Sequence, residues 1–441
     1  MLCKNVLSLN GYAAEVCDED DYFVTVFCGD AARCDYHTNE SIWETVDELQ
    51  RLKPRLPARE FGELEQAAGF SHSPHNILLD ADLRQHVLPE SNIMYDWVHV
   101  WLTQGLASDE IWFYVCHLRS THNIRYADIN AFVCSYNLPA HVSVNIGAIF
   151  GEKREKSSMS ADAFKAGASE ILSIYACLLR FHELVVAPLG NKCDRQGRSL
   201  QALCLVLDAL QCVSLKLVSP QRLRERIQTH LALYTAAYGR RCAKPKFHYA
   251  IHFPRFLEKT GTLFNCFTCE RRHKCVKMLA SLSTYTGSYE KTVLTDFLLA
   301  HAEMLNESGA LARGCAVSKT KAITDPMLLN FVKSCCPDLD VVLVGEVGRN
   351  GMVKSSVGDC VVIEDGASWR IASVIAFFEC VPLRHFAFVE RAQPLGGHAW
   401  KLSDEYELVP LASIAAACSY APGDHGAIDV LYPPYLSCRN V

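Results

Sequence analysis

Apolar and polar positions follow two different periods along this chain, and the change falls after about residue 306. Before it the spacing is helical. Trp43, Val46, Leu49 and Leu52 recur every three residues behind Ser41 and Glu44, a capping-box signal. Phe164, Ile171, Ile174, Leu178 and Phe181 predict a second helix with Ser160 as its cap, broken at Pro188-Leu189-Gly190. The apolar run 200–217 is interrupted by Gln201, Asp208, Gln211 and Lys216, which predicts a buried helix rather than a membrane span. Ser219 followed by Pro220 is a helix start, Leu223, Ile227, Leu231 and Tyr234 form its apolar face, and Gly239 ends it. Residues 160–240 are therefore expected to form an all-helical bundle. After the punctuation of Pro254 and Gly261, a further helix is predicted over 267–282.

Beyond residue 306 the pattern shortens to strands. Apolar runs at 341–344, 359–363, 369–378, 386–390 and 407–409 alternate with Gly345, Gly351, Gly358, Asp365-Gly366 and Gly396-Gly397. Short strands at this spacing predict a small barrel or sandwich. An earlier run, 22–27, has the β-branched and aromatic content of a strand. The expected fold class is α+β: a mainly helical region over 1–305, a linker over 306–339, and a small β-barrel over 340–436 that folds on its own. Trp369, Phe377, Phe378 and Trp400 read as core of that barrel rather than as a cage for a cation.

Composition changes this picture little. The chain has 441 residues, 50% hydrophobic and 21% charged, a globular balance with material for two or three domains. Residues 5–15 lack a continuous apolar core, so no signal peptide is expected. The 21 cysteines are scattered without framework spacing, which favours a reduced, intracellular setting. Cys3 (or equally Cys17), Cys28, Cys34 and His37 offer a tetrahedral zinc set, against the alternative of incidental small core residues. Cys266, Cys269, His273 and Cys275 offer a second, and His248 and His252 stand at i and i+4.

Charge changes it more. Over 219–282 thirteen lysines and arginines face only Glu225, Glu258 and Glu270, a local charge of +10 on a chain whose net charge is −6. A positive band on an acidic protein is the footprint expected for a phosphate backbone. Arg240, Arg241, Lys244, Lys246, Arg271, Arg272, Lys274 and Lys277 are its candidate nucleic-acid contacts; a solvated helix face is the plainer reading. On the predicted helix 267–282, Glu270 shares a face with His273, Lys274 and Lys277. An ionised Glu there suits a metal ligand beside phosphate or an intrahelical ion pair. Asp96 and His99, three residues apart, likewise suit a site or a helix cap.

The run "HYAIHFP…LFNCFTCERRHKCVK" resembles the C-terminal part of CACTA/hAT-like DNA transposases of the RNase H-like supergroup. "MYDWVHVWLTQGL" resembles their D-x-x-H passage, here Asp96 and His99, and "FKAGASEILSIYACLLRF" the helical segment after it. The resemblance spans roughly 1–302. It implies an incomplete RNase H-like region carrying a helical insertion, with Glu270 as last acid of a catalytic triad and Asp96 and His99 shaping the site. It further implies Mg²⁺ or Mn²⁺ as cofactor, DNA as partner, a nuclear location and self-association. In that family the opening "MLCKN" lies inside the protein, so the chain reads as truncated. Its first two triad acids are not assigned, and catalysis by this chain alone is not expected. No membrane partner is expected. "GDCVVIEDGASWRIASVIAFFE" resembles the opening of an SH3-like or BAH-like barrel. The alternative to a catalytically incomplete, DNA-binding transposase relative is a non-enzymatic chromatin- or protein-interaction scaffold.

Overall fold

The computed structural model describes residues 39–68, 72–87, 95–239, 242, 245–282, 288–306, 314–335, 337, 340–351, 353–366, 368–381 and 384–439. The expected strand at 22–27 and the cysteines and histidine at Cys3, Cys28, Cys34 and His37 lie outside them.

All elements described between 39 and 306 are helical, and among the described residues no strand precedes Cys315. Helix α1 (Asn39–Leu52) and α2 (Ala58–Ala68) come first. Ser41 lies inside α1 rather than at its cap, and its carbonyl accepts a bond from the Thr45 hydroxyl. Then follow α3 (Trp97–Trp101), α4 (Leu106–His122), α5 (Tyr126–Val133), α6 (Glu152–Ala161) and α7 (Ala168–Phe181). Ser160 belongs to α6; α7 is started by Gly167, whose N–H bonds the Glu170 carboxylate at 2.6 Å. A short π-turn and a 3₁₀ turn end at Gly190 (φ 109°), where the Pro188-Leu189-Gly190 break was expected.

α8 (Asp194–Cys212) and α9 (Pro220–Tyr238) pack face to face, and Ser219 caps α9 by accepting the Arg222 N–H at 3.2 Å. Residues 168–189 and 191–215 are each long and apolar enough to cross a bilayer. Their apolar faces, with Ile171, Ile174, Leu178, Leu200, Leu203 and Leu207, are buried in the helical core. α10 (Pro245–Ile251), α11 (Phe253–Thr260), α12 (Phe267–Leu282) and α13 (Tyr289–Asn306) complete the region.

The second region closes into a barrel. Strands β6 (Cys360–Asp365), β7 (Ser368–Val381), β8 (Arg384–Gly396), β9 (Ala399–Pro410), β10 (Ile414–Pro422) and β11 (Ala427–Leu431) pair antiparallel in the cycle β7-β6-β10-β11-β9-β8-β7. Closure removes the exposed sheet edges. Val361, Ile363, Val374, Phe377, Ala387 and Val389 fill one face, while Cys360, Val362, Ile371, Trp400, Cys418 and Val430 pack on the other. Phe377, Phe378 and Trp400 are buried, as core aromatics should be. Trp400 also donates its indole N–H to the Tyr432 hydroxyl at 3.0 Å.

The stretch expected to be a linker carries elements of its own. β1 (Cys315–Ser318) pairs with β4 (Val347–Asn350), which pairs with β5 (Val353–Ser356); β2 (Lys321–Ala322) pairs with β3 (Asp340–Gly345), which pairs antiparallel with β7. Helix α14 (Pro326–Cys335) buries Val332 against Phe378 and Cys380.

The barrel is not free-standing either. Leu431 and Cys438 belong to the helical core, and Asn137 forms a two-bond bridge with Tyr420 at 2.7 and 3.1 Å. Arg180 grips the Asp429 carboxylate with Nε at 3.0 Å and Nη2 at 2.8 Å, and the Tyr136 hydroxyl donates to the same group. Burial opposes the charge on Asp429, but the Arg180 and Tyr136 bonds outweigh it and hold its pKa below the ordinary value. The last helix, α15 (Pro434–Arg439), lies against α8, with the Ser437 hydroxyl on Asp208 at 2.7 Å.

Candidate functional site

Asp96 sits in extended backbone immediately before α3, so its carboxylate meets the unpaired N–H groups of the first turn. Oδ1 accepts from Val98 N at 3.0 Å, and Oδ2 meets His99 Nδ1 at 2.5 Å. The cap reading of Asp96 is thus realised. The same Oδ1 also accepts the backbone N–H of Cys266 at 3.2 Å across 170 residues of sequence. Trp97 N donates to Phe264 O at 3.3 Å, and the Trp97 ring meets Phe267 edge-on at 6.2 Å. Cys266 directly precedes α12, so the Asp96 carboxylate lies at the start of the helix that carries Glu270.

The side-chain atoms of Asp96, His99 and Cys266 lie within 4.8 Å of one another, the one such His/Cys/Asp/Glu group of three among the described residues. Cys266 is buried, Asp96 has 13% of its side chain exposed and His99 52%. The cluster therefore opens to solvent on the histidine side.

Glu270, Arg271, Arg272 and Lys274 follow on α12 within its first turns; their side chains lie outside the described residues. Lys277, on the same helix, is exposed. Arg240, Arg241 and Lys244 lie outside the described residues. Lys246 is described, and its ammonium is committed to three carbonyls at the end of α3: His99 O at 2.7 Å, Thr103 O at 3.0 Å and Gln104 O at 2.8 Å. It holds the α3 turn through the helix's unpaired acceptors. Elsewhere in the positive band, Arg222 and Arg226 serve the last helix, donating to Cys438 O at 2.6 Å and Ser437 O at 3.4 Å. The band is thus partly structural; among its described members Lys259 on α11 and Lys277 on α12 are exposed.

Two further clusters anchor α3 and its neighbours. His230 and Glu110 meet at 2.5 Å with no exposure of either side chain, and the Trp101 ring lies 5.4 Å from His230. His248 and His252 face each other through Nε2 atoms 2.9 Å apart, and Tyr95 stacks on Tyr249 beside them. Burial, with Arg255 nearby, pushes the pKa of His252 down to about 4, so that ring is neutral at pH 7. The four-ligand set of Cys266, Cys269, His273 and Cys275 does not assemble. Cys275 is exposed on a continuous helix nine residues beyond Cys266, about 13 Å away.

Sequence reasoning paired Asp96 with His99 but missed Cys266 as their neighbour. Its position just before a helix start, in "LFNCFTCE", was the available signal. No family model matches this chain, and no curated protein matches it.

Proposed function

We propose that this protein is a transposase-derived DNA-binding protein, in which the Asp96–His99 turn and the start of α12 form a remnant of an RNase H-like strand-transfer site. The observation that carries this reading is the bond from Cys266 N to Asp96. Two passages that each resemble a transposase motif, far apart in sequence, are neighbours in the fold. The same helix carries Arg271, Arg272, Lys274 and the exposed Lys277 in its sequence, which would supply charge for phosphate. The barrel acts as an SH3/BAH-like accessory unit fixed to the helices.

A pair of hard ions does not fit the described side chains of the site. Mg²⁺ calls for oxygen ligands in near-octahedral geometry, and here a single carboxylate stands beside an imidazole and a thiol. The proposed activity is DNA binding.

A photo-crosslinking residue at Met278, 57% exposed on α12, should capture duplex DNA. One at Tyr406, 49% exposed on the barrel, should not. Equal capture from both positions, or from neither, would defeat the assignment of α12 as the contact surface.

A further inference from the structure

We infer that Asp96, His99 and Cys266 form a binding site for one borderline-soft divalent transition metal, of the zinc or cobalt class. The inference rests on geometry alone and stands apart from the nucleic-acid reading. Ligand atoms around a tetrahedral zinc ion with bonds of about 2.0–2.3 Å stand roughly 3.3–3.8 Å from one another. The three donors here already lie within 4.8 Å. Closing onto an ion asks for side-chain movements on the order of an ångström, which His99 can make because half of it is in solvent.

The donor set selects the metal. A thiol and an imidazole favour zinc-class ions over magnesium or calcium, which take oxygen donors. The Asp96 carboxylate lowers the charge the ion must carry, and its Oδ1 is already oriented by Val98 N and Cys266 N. That leaves Oδ2 to turn from His99 Nδ1 to the ion. Binding forms the metal–sulfur bond and releases the Cys266 proton to solvent, so affinity rises with pH while the thiol is still protonated. Three protein ligands with an open solvent side are the coordination of a zinc site that keeps a position for water or a bound group.

Backbone contacts hold these ligands in place. Lys246 pins the far end of α3 through three carbonyls, and the Cys266 N–H pins the near end through Asp96. The two ligands before α12 and within α3 are thus held in register by bonds that do not involve their metal-binding atoms.

The test is a titration of the full chain with cobalt(II) chloride, read as thiolate-to-cobalt charge-transfer absorption in the near ultraviolet. Other cysteines contribute to the raw spectrum, so the quantity read is the difference between wild type and Cys266→Ser. The expected result is a one-equivalent charge-transfer component that Cys266→Ser removes and that zinc, not millimolar magnesium, displaces. His99→Ala, at a half-exposed position, should weaken cobalt binding at least about 100-fold, beyond the 10–100-fold of outer-shell changes. Unchanged far-ultraviolet circular dichroism in both variants shows that the fold is kept. Identical cobalt spectra for wild type and Cys266→Ser would overturn the site, as would displacement by magnesium. Anisotropy of labelled DNA, measured on the same samples with chelator present, reports the nucleic-acid reading separately.

Discussion

Removing the charge of Asp429 should loosen the barrel from the helices. The carboxylate receives two bonds from Arg180 and one from Tyr136, and the two charged side chains are 20% and 17% exposed. Breaking a buried pair costs about 3–5 kcal/mol. Arg180 retains Glu183 at 2.8 Å and some solvent, so the expected loss for Asp429→Asn is smaller, about 2–3 kcal/mol. Arg180→Met should cost a similar amount, and the double variant little more, giving a coupling of about 2 kcal/mol. Urea unfolding of all four proteins, followed by far- and near-ultraviolet circular dichroism, measures these values. In wild type the two signals should change together; in Asp429→Asn the near-ultraviolet signal should fall first. A coupling under about 0.5 kcal/mol would refute the claim that this pair fastens the barrel.

Three further outcomes follow from particular contacts. His252 is held neutral with a pKa of about 4, so the unfolded chain takes up its proton first as pH falls from about 6.5. That contribution to stability is complete above about pH 6.5 and shrinks by about 3 kcal/mol down to pH 4; His252→Gln should flatten this slope in pH-dependent urea melts. Asp208 works in the opposite direction: burial raises its pKa to about 6, so Asp208→Asn should stabilise the protein at pH 7 and not at pH 4, read by thermal melts. Gly105→Ala would place Cβ 2.3 Å from Val100 O, a backbone atom that cannot move aside, and should lower stability by several kcal/mol or prevent folding, checked by soluble yield and circular dichroism.

Local signals were legible where the chain's own chemistry decides the outcome. Ser219-Pro220 starts α9, Gly239 ends it, and 267–282 forms the predicted helix. Residues 414–422, Ile-Ala-Ala-Ala-Cys-Ser-Tyr-Ala-Pro, gave no strand signal because alanine is a poor strand former. That segment is β10 because β6 and β11 pair with it on either side. The linker expectation failed in the same way: four residues at Cys315 become a strand only against β4. Asp96 posed a choice between cap and site that spacing could not decide, since one carboxylate bonds both Val98 N and Cys266 N. Lys246 and Arg222 counted toward a charge band because composition does not reveal the backbone carbonyls they serve.

The salt dependence of DNA binding by the full chain measures how many phosphates the positive band neutralises. Each neutralised phosphate adds about −0.9 to the slope of log K against log salt on duplex DNA. Wild type should show a steep linear fall, and the slope should be flatter by about 2–4 when Arg271, Arg272, Lys274 and Lys277 are all changed to alanine. No measurable binding at low salt, or the same affinity and slope in the variant, would contradict that expectation.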